Sequence, residues 1–327
     1  MKFPRRKFLH LAAGAAVLTV IVTLATHGAW PQATRTIKIV VPFAPGGAGD
    51  LTARLLADQI GRTHPLTLVI ENRPGAGTVI ATEAVARAAP DGTTVLIVGN
   101  SFLINPNVRK RNYDPLTSFE PVCLLTRSPN MIVVSSASPF RTLADLLNAA
   151  RAKPGDVTIA SNGPLTSQHM AVEMLKRAAS VDLTYLPYPG GSPVTNALLG
   201  GHVTAAVTTY TTVAQQLRTG TLRALATTSR SRIEPMLDLP TVAESGYKDY
   251  EEEAWIGLVA PAKTPGSIIS QFASWLTAAM KVPAVREKLV VQELYPVGDC
   301  GTDFGSYLRK QFDEYGRVLR EVNIKAE

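Results

Sequence analysis

From residue 34 onward, short apolar runs alternate with longer stretches of helical periodicity. Residues 37–41, 67–70, 94–98, 131–134, 157–160, 205–207, 223–227 and 256–259 are rich in Val, Ile and Leu and bounded by Gly or Pro. That is the pattern of buried strands. Helices are predicted between them. Thr142 reads as an N-cap, with Asp145 at the capping-box position and Leu143, Leu146, Leu147 and Ala150 on one face. Ile268, Phe272, Trp275, Leu276 and Ala279 form a second apolar stripe. Phe304, Leu308, Phe312, Tyr315 and Leu319 form a third. The aromatic stripes are read as core. Alternating strands and helices predict an α/β fold with mostly parallel sheets covered by helices. No internal repeat or low-complexity linker divides the chain. Its 327 residues suggest two domains, with the chain crossing between them more than once.

The N-terminus adds an address. Pro4-Arg5-Arg6-Lys7-Phe8-Leu9-His10 precedes an apolar run over residues 11–25, then Gly28-Ala29 and Ala33. A basic start, a short apolar core and small residues are the layout of an export signal. Arg5-Arg6 followed by Phe8-Leu9 fits the twin-arginine variant. The run has 15 residues, short of the roughly 20 a membrane span needs. Cleavage is expected near Ala29 or Ala33, giving residues 1–33 as signal peptide and a periplasmic protein. Of the net charge of +7, the first 33 residues supply +4, so the remainder is too weakly basic for nucleic acid. Cys123 and Cys300 are the only cysteines. They are read as unpaired buried thiols, although the sequence does not decide whether they pair.

Three strand-to-helix loops carry the candidate chemistry. The first runs from Phe43 through Ala44, Pro45, Gly46, Gly47, Ala48 and Gly49 to Asp50. The second is Glu71-Asn72-Arg73-Pro74-Gly75-Ala76-Gly77. The third is Ser161-Asn162-Gly163-Pro164-Leu165-Thr166-Ser167, leading into a helix with His169. Glycine lets backbone N–H groups approach a ligand, and a helix start offers free N–H groups with partial positive charge. Loops at the carboxyl ends of parallel strands are where open α/β sheets bind ligands. Three such starts suggest a small carboxylate held by backbone and hydroxyl groups.

Other chemistries fail on detail. Neither glycine loop completes a nucleotide fingerprint, and no Gly-x-Ser-x-Gly occurs. The histidines lack metal-ligand spacing, so no metal and no cofactor is expected. Asp249, Glu251, Glu252 and Glu253 read as a solvated acidic run. His169 is open between a ligand hydrogen-bond donor and a side chain of its helix N-terminus.

The sequence resembles the extracytoplasmic receptors of tripartite tricarboxylate transporters, the Bug family. The match begins near Thr36 and reaches the C-terminus. It rests on Val41-Pro42-Phe43-Ala44-Pro45-Gly46-Gly47 with Asp50 and Ala53-Arg54, Glu71-Asn72-Arg73-Pro74-Gly75-Ala76-Gly77 and Pro90-Asp91-Gly92. Asn105-Pro106, Phe119-Glu120-Pro121-Val122, Thr166-Ser167 with His169, Pro187-Tyr188 with Gly190, and Leu222-Arg223-Ala224-Leu225-Ala226 continue it.

This resemblance implies a two-lobed fold of the periplasmic-binding-protein type, type II-like. Each lobe is a mostly parallel sheet flanked by helices, with two crossover strands. Residues 34–126 plus 255–327 would form lobe 1 and residues 127–254 lobe 2, with hinges near 122–130 and 252–258. A small carboxylate would sit between the lobes. Phe43 to Asp50 and Gly75, Ala76 and Gly77 would meet it from lobe 1. Ser161, Asn162, Thr166, Ser167 and His169 would meet it from lobe 2, with Tyr188, Gly190, Gly191, Thr208 and Tyr210 nearby. Arg73 would brace its own loop.

Three positions depart from the family pattern. Leu165 stands where glycine is frequent, Pro189 where lysine is, and neutral Thr208-Thr209-Tyr210 where an acid is common. The acid can meet a ligand amine, so the expected ligand is a di- or tricarboxylate, or an aromatic acid near Tyr210. The implied protein is a monomeric receptor that delivers its ligand to permease subunits, and it is not an enzyme. A ligand sensor for a signalling protein is the alternative. An exported hydrolase is a weaker one, with Ser167 and His169 its nearest approach to a catalytic pair.

Overall fold

The computed structural model describes residues 35–108 and 111–321, and the expected signal peptide lies outside them. In the first half, β1 (Arg35–Val41) pairs in parallel with β2 (Leu66–Asn72) on one side and β3 (Thr94–Gly99) on the other. Helices α1 (Ala48–Thr63), α2 (Val79–Ala86) and α3 (Asn100–Val108) follow these strands in turn. Strand β4 (Phe119–Ser135) then leaves this half. Over its first eleven residues it pairs antiparallel with β9 (Glu253–Pro261); from Asn130 onward it pairs antiparallel with β7 (Ala205–Thr209).

In the second half, β5 (Thr158–Ser161) lies parallel between β6 (Thr184–Pro187) and β7. Helices α4 (Leu143–Ala152), α5 (Ser167–Ala179), α6 (Gly191–Leu199) and α7 (Tyr210–Arg218) cover these strands, and β8 (Leu222–Thr227) pairs with β4. The chain returns through β9, then α8 (Gly266–Lys281), α9 (Pro283–Val291), β10 (Tyr295–Cys300) and α10 (Thr302–Glu321). The strand order is β2-β1-β3-β9-β4-β7-β5-β6, with β8 and β10 also on β4. This is a two-lobed α/β fold.

Strand β1 illustrates why the runs are continuously apolar. Ile37, Ile39 and Val41 pack with Ala53, Leu56 and Ile60 of α1, while Val40 belongs to the opposite core with Ala81 and Val85 of α2. Successive side chains point to opposite faces, and both faces are covered. The Thr142–Asp145 capping box forms, and Leu143, Leu146, Leu147 and Ala150 are buried.

The structure adds three things to the sequence reading. Parallel pairing holds within β1–β3 and β5–β7, whereas β4 and β9 pair antiparallel because the chain goes out along one and back along the other. Strands β6 and β10 lie outside the eight predicted runs. The cysteines are corrected: Cys123 and Cys300 form a disulfide across 177 residues. The antiparallel register of β10 on β4 sets these two residues directly opposite each other, 4.0 Å apart at Cα.

Candidate functional site

The loop after β1 is organised from behind by one carboxylate. Asp50, in the first turn of α1, is 2% exposed. Its Oδ2 accepts from the Gly46 N–H and from Arg54 Nε, each at 2.9 Å. Its Oδ1 accepts from Asn72 Nδ2 at 2.9 Å, and the same amide reaches the Phe43 carbonyl at 3.2 Å. Arg54 Nη2 closes the ring onto Asn72 Oδ1 at 3.0 Å. The Arg54 hydrogen bond leads in holding the Asp50 carboxyl down at about 2, against the opposing effect of burial. Asp50 thus stays ionised and faces its own loop. Gly46 takes the left-handed φ of +84° that the turn requires. Ala44 to Ala48 are exposed, and Gly47 at the N-cap of α1 supplies no side-chain cap. The first N–H groups of the helix are therefore not taken up by a cap. Phe43 lies against this turn: a Cβ at Gly49 would come within 2.7 Å of its ring.

The second loop stores backbone strain. Gly75, Ala76, Gly77 and Thr78 have successive φ values of +140°, +46°, +62° and +84°. Positive φ is costly for Ala and more so for β-branched Thr, and such strain persists where the surroundings enforce it. Asn105 Nδ2 donates to the Gly77 carbonyl, and Thr82 Oγ1 donates to the Thr78 carbonyl at 2.9 Å. Thr78 Oγ1 is buried with no partner among the described residues. Arg73 pairs with Glu71, which also holds Lys38 at 2.9 Å. The Arg73 N–H donates to the Val41 carbonyl at 2.8 Å, joining the two loops.

The third loop, after β5, is braced by neutral groups. Ser161 Oγ meets the Tyr185 hydroxyl at 2.8 Å, and that hydroxyl donates to the Gly163 carbonyl at 3.1 Å. Thr166 Oγ1 donates to the same carbonyl at 2.8 Å and caps α5 by accepting the His169 N–H at 3.2 Å. His169 is 3% exposed and stacks on Tyr185 with centroids 4.2 Å apart. Its Nδ1 accepts the Leu165 N–H at 3.2 Å, and its Nε2 lies 3.8 Å from Glu173 Oε1. Burial, with the nearby Lys176 charge, pushes the imidazole down to about 4, so it is neutral at pH 7. The structure thus places His169 inside the loop as the support of Leu165, itself at φ +58°.

The remaining second-half residues gather at the ends of β6 and β7. The Tyr188 N–H donates to the Ser161 carbonyl at 3.0 Å. Gly190, at φ +108°, starts α6 without a side-chain cap. Gly191 has no room for a Cβ, which would lie 2.6 Å from Thr212. Thr208 is fully buried, its hydroxyl without a partner among the described residues, and half-buried Tyr210 opens α7. Two polar groups that the sequence reading missed, Asn130 and Gln168, join them. Asn130 is fully buried and accepts from Gln168 Nε2 at 2.8 Å, while its own Nδ2 has no partner among the described residues. Asn105 was visible only within Asn105-Pro106. Asn130 sits in an unremarkable stretch of β4 and gave no signal.

The acidic run is the clearest correction. Glu252 is 1% exposed, not solvated. Its Oε1 accepts from Asn100 Nδ2 at 3.2 Å and from the Tyr315 hydroxyl at 3.0 Å. Burial raises its carboxyl well above the usual range. Arg127 holds both neighbours, at 3.1 Å from Glu251 and 3.6 Å from Glu253. Burial pushes Glu253 up to about 7 against the pull of Arg127. Asp249 is exposed and Glu251 and Glu253 are partly buried, whereas Glu252 is buried because the chain crosses between the lobes here: the Glu252 N–H donates to the Thr228 carbonyl at 3.0 Å, and the Thr228 N–H donates to that of Asn130.

Among the described residues, no His, Cys, Asp and Glu cluster is arranged to hold a metal ion, and no helix is long and apolar enough to cross a membrane. The sequence model of the tripartite tricarboxylate transporter family receptor matches residues 52–324. BugT of Bordetella pertussis is 30% identical over 297 residues, covering 89% of this chain and 90% of BugT. The structure of R. palustris Rpa4515 with adipate is 30% identical, with a TM-score of 0.74 over 90% of this chain and 99% of that one. MatC from Rhodopseudomonas palustris with bound malate is 27% identical, with a TM-score of 0.71 over 89% of this chain and 100% of that one.

Proposed function

The chain belongs to the tripartite tricarboxylate transporter receptor family, whose members are periplasmic solute receptors, and on that premise we propose that it binds a small carboxylate between its lobes. It hands that ligand to the permease subunits of its transporter. The carrying observation is the start of α1, which has no side-chain cap and follows an exposed loop, while Asp50, Arg54 and Asn72 lock that loop from behind. Charge that could repel a carboxylate is thereby neutralised away from the exposed face. The strained turn over residues 75–78 presents further backbone groups beside it. In the second lobe, Thr208, Asn130 and Asn162 supply neutral polar atoms without partners among the described residues. The lobes proposed are residues 34–126 plus 255–327, and 127–254. The shift of β4 pairing at Asn130 supports a boundary there.

The ligand proposed carries no ammonium group. Thr208, Thr209 and Tyr210 offer no anion to pair with one. Rpa4515 with adipate and MatC with malate bind acids of this kind. Export follows the N-terminal signal by the twin-arginine route, and the receptor acts as a monomer, without catalysis. Thermal-shift screening against small carboxylates and amino acids tests the reading, because a ligand of the folded state raises the melting temperature. A saturable shift with a dicarboxylate recovered unchanged is expected. A chemically altered ligand would put an exported enzyme in its place.

A further inference from the structure

A concavity of about 590 Å³ opens between the C-terminal half of α5, the 246–251 segment and α10. Its walls come from different lobes. Helix α5 follows β5, while α10 packs on α3 and β4 and reaches Glu252 through Tyr315. Arg177 spans the gap from the last turn of α5. Its Nη1 lies 3.1 Å from Glu314 Oε1, and its Nε lies 3.1 Å from Glu321 Oε2. Arg317 also pairs with Glu314.

Helix α5 is pinned nearer its other end. Gln168 donates to Asn130 at 2.8 Å, and the buried Tyr250 hydroxyl donates to the Ala171 carbonyl at 2.7 Å. Asn130 lies on the first crossover segment, and Tyr250 lies two residues before the second. Arg177 is six residues beyond Ala171, roughly 9 Å further along the axis at 1.5 Å per residue. The helix is therefore a short lever. Its Thr166 end carries the second-lobe ligand loop, its pin is at the hinge, and its Arg177 end is tied to the first lobe. A rotation that swings Thr166 toward the glycine loops of lobe 1 swings Arg177 away from α10.

We propose that Arg177 is a latch that opposes lobe closure and so lowers ligand affinity without touching the ligand. The proposal rests on the receptor reading above. Ligand affinity falls by the fraction of molecules in the binding-competent state, so releasing the latch raises it. The pairs are partly exposed, with Arg177 at 37%, Glu314 at 23% and Glu321 at 47% of side-chain area. Pairs of this kind shift an equilibrium roughly two- to fivefold, and salt screens them.

The test uses nitroxide labels at Ala48→Cys and Ser192→Cys, on facing rims of the proposed cleft. The native cysteines are paired with each other and take no label. In the unliganded protein, Arg177→Ala is expected to move weight toward the shorter inter-label distance. Arg177→Lys, which keeps the charge, is expected to resemble the native protein. Titration of the unlabelled proteins with malate or adipate should show roughly two- to fivefold tighter binding for Arg177→Ala, shrinking in high salt. An unchanged distance distribution, a shift to longer distances, or a lowered melting temperature alone overturns the latch. The distance measurement needs no ligand, so a native protein that binds no carboxylate counts against the receptor reading instead.

Discussion

The loops after β1 and after β5 follow one plan, strand to Gly/Pro loop to helix start, yet they are braced in opposite ways. The first is held by charge: an ionised, buried Asp50 accepts from Gly46, Arg54 and Asn72. The second is held by neutral groups: Thr166, Tyr185 and an uncharged His169. The helix starts differ to match. Gly47 leaves the first N–H groups of α1 uncapped, whereas Thr166 takes up one of those of α5. On the proposed function, anion affinity belongs mainly to the first loop, and shape and neutral hydrogen bonding to the second. Placing fixed charge on one side only lets an anionic ligand meet a prepared site without a second charged group to desolvate.

Breaking the charged brace should have the largest effect. Asp50→Ala leaves Arg54, Asn72 and the Gly46 N–H without their shared acceptor. Losing a buried partner costs about 1–3 kcal/mol. A lowered melting temperature and at least tenfold weaker carboxylate binding are expected; unchanged binding would remove Asp50 from the account.

Acid should separate the two loops in order. The His169 pKa is lowered, from 6.5 to about 4, so its contribution to stability is lost as pH falls through that window. The Asp50 pKa is lowered from 3.8 to about 2, so its contribution persists above 3.8 and fades only below. Amide exchange followed by mass spectrometry should show residues 161–169 loosening between pH 6.5 and 4 while residues 43–50 stay protected. Simultaneous loosening would contradict the contrast.

The crossover has the opposite pH sign. The Glu253 pKa is raised from 4.5 to about 7, so its contribution is full below 4.5 and lost as pH rises through 7. Glu253→Gln should flatten that dependence, with a melting temperature at pH 8 equal to or above that of the native protein.

The smallest effect is expected at Thr208, whose buried hydroxyl has no partner among the described residues. Thr208→Val should keep or slightly raise the melting temperature and weaken ligand binding by roughly two- to tenfold, the range of one hydrogen bond. A matching loss of stability would mark a purely structural hydroxyl.

How much of this was legible follows from where each feature takes its cause. The eight apolar runs were legible because burial on two faces writes itself into consecutive residues. Strand β10, Tyr-Pro-Val-Gly-Asp-Cys, reads as a turn, and only its pairing with β4 makes it a strand. Strand β6 is four residues at the sheet edge with exposed ends, too short to stand out. The glycine loops showed as composition, but the bracing did not: Asp50 and Asn72 are 22 residues apart and meet only because β1 and β2 are neighbours. Glu252 looked solvated because its run is acidic, yet its partners Asn100 and Tyr315 lie 152 and 63 residues away. The Cys123–Cys300 bond likewise depends on a register no spacing reveals.

The most direct test is calorimetric titration of the purified protein with succinate and with aspartate, two acids that differ by one ammonium group. The account predicts saturable one-to-one heat with succinate and at least tenfold weaker binding of aspartate, since residues 208–210 provide no anion for the amine. Tighter binding of aspartate would contradict it.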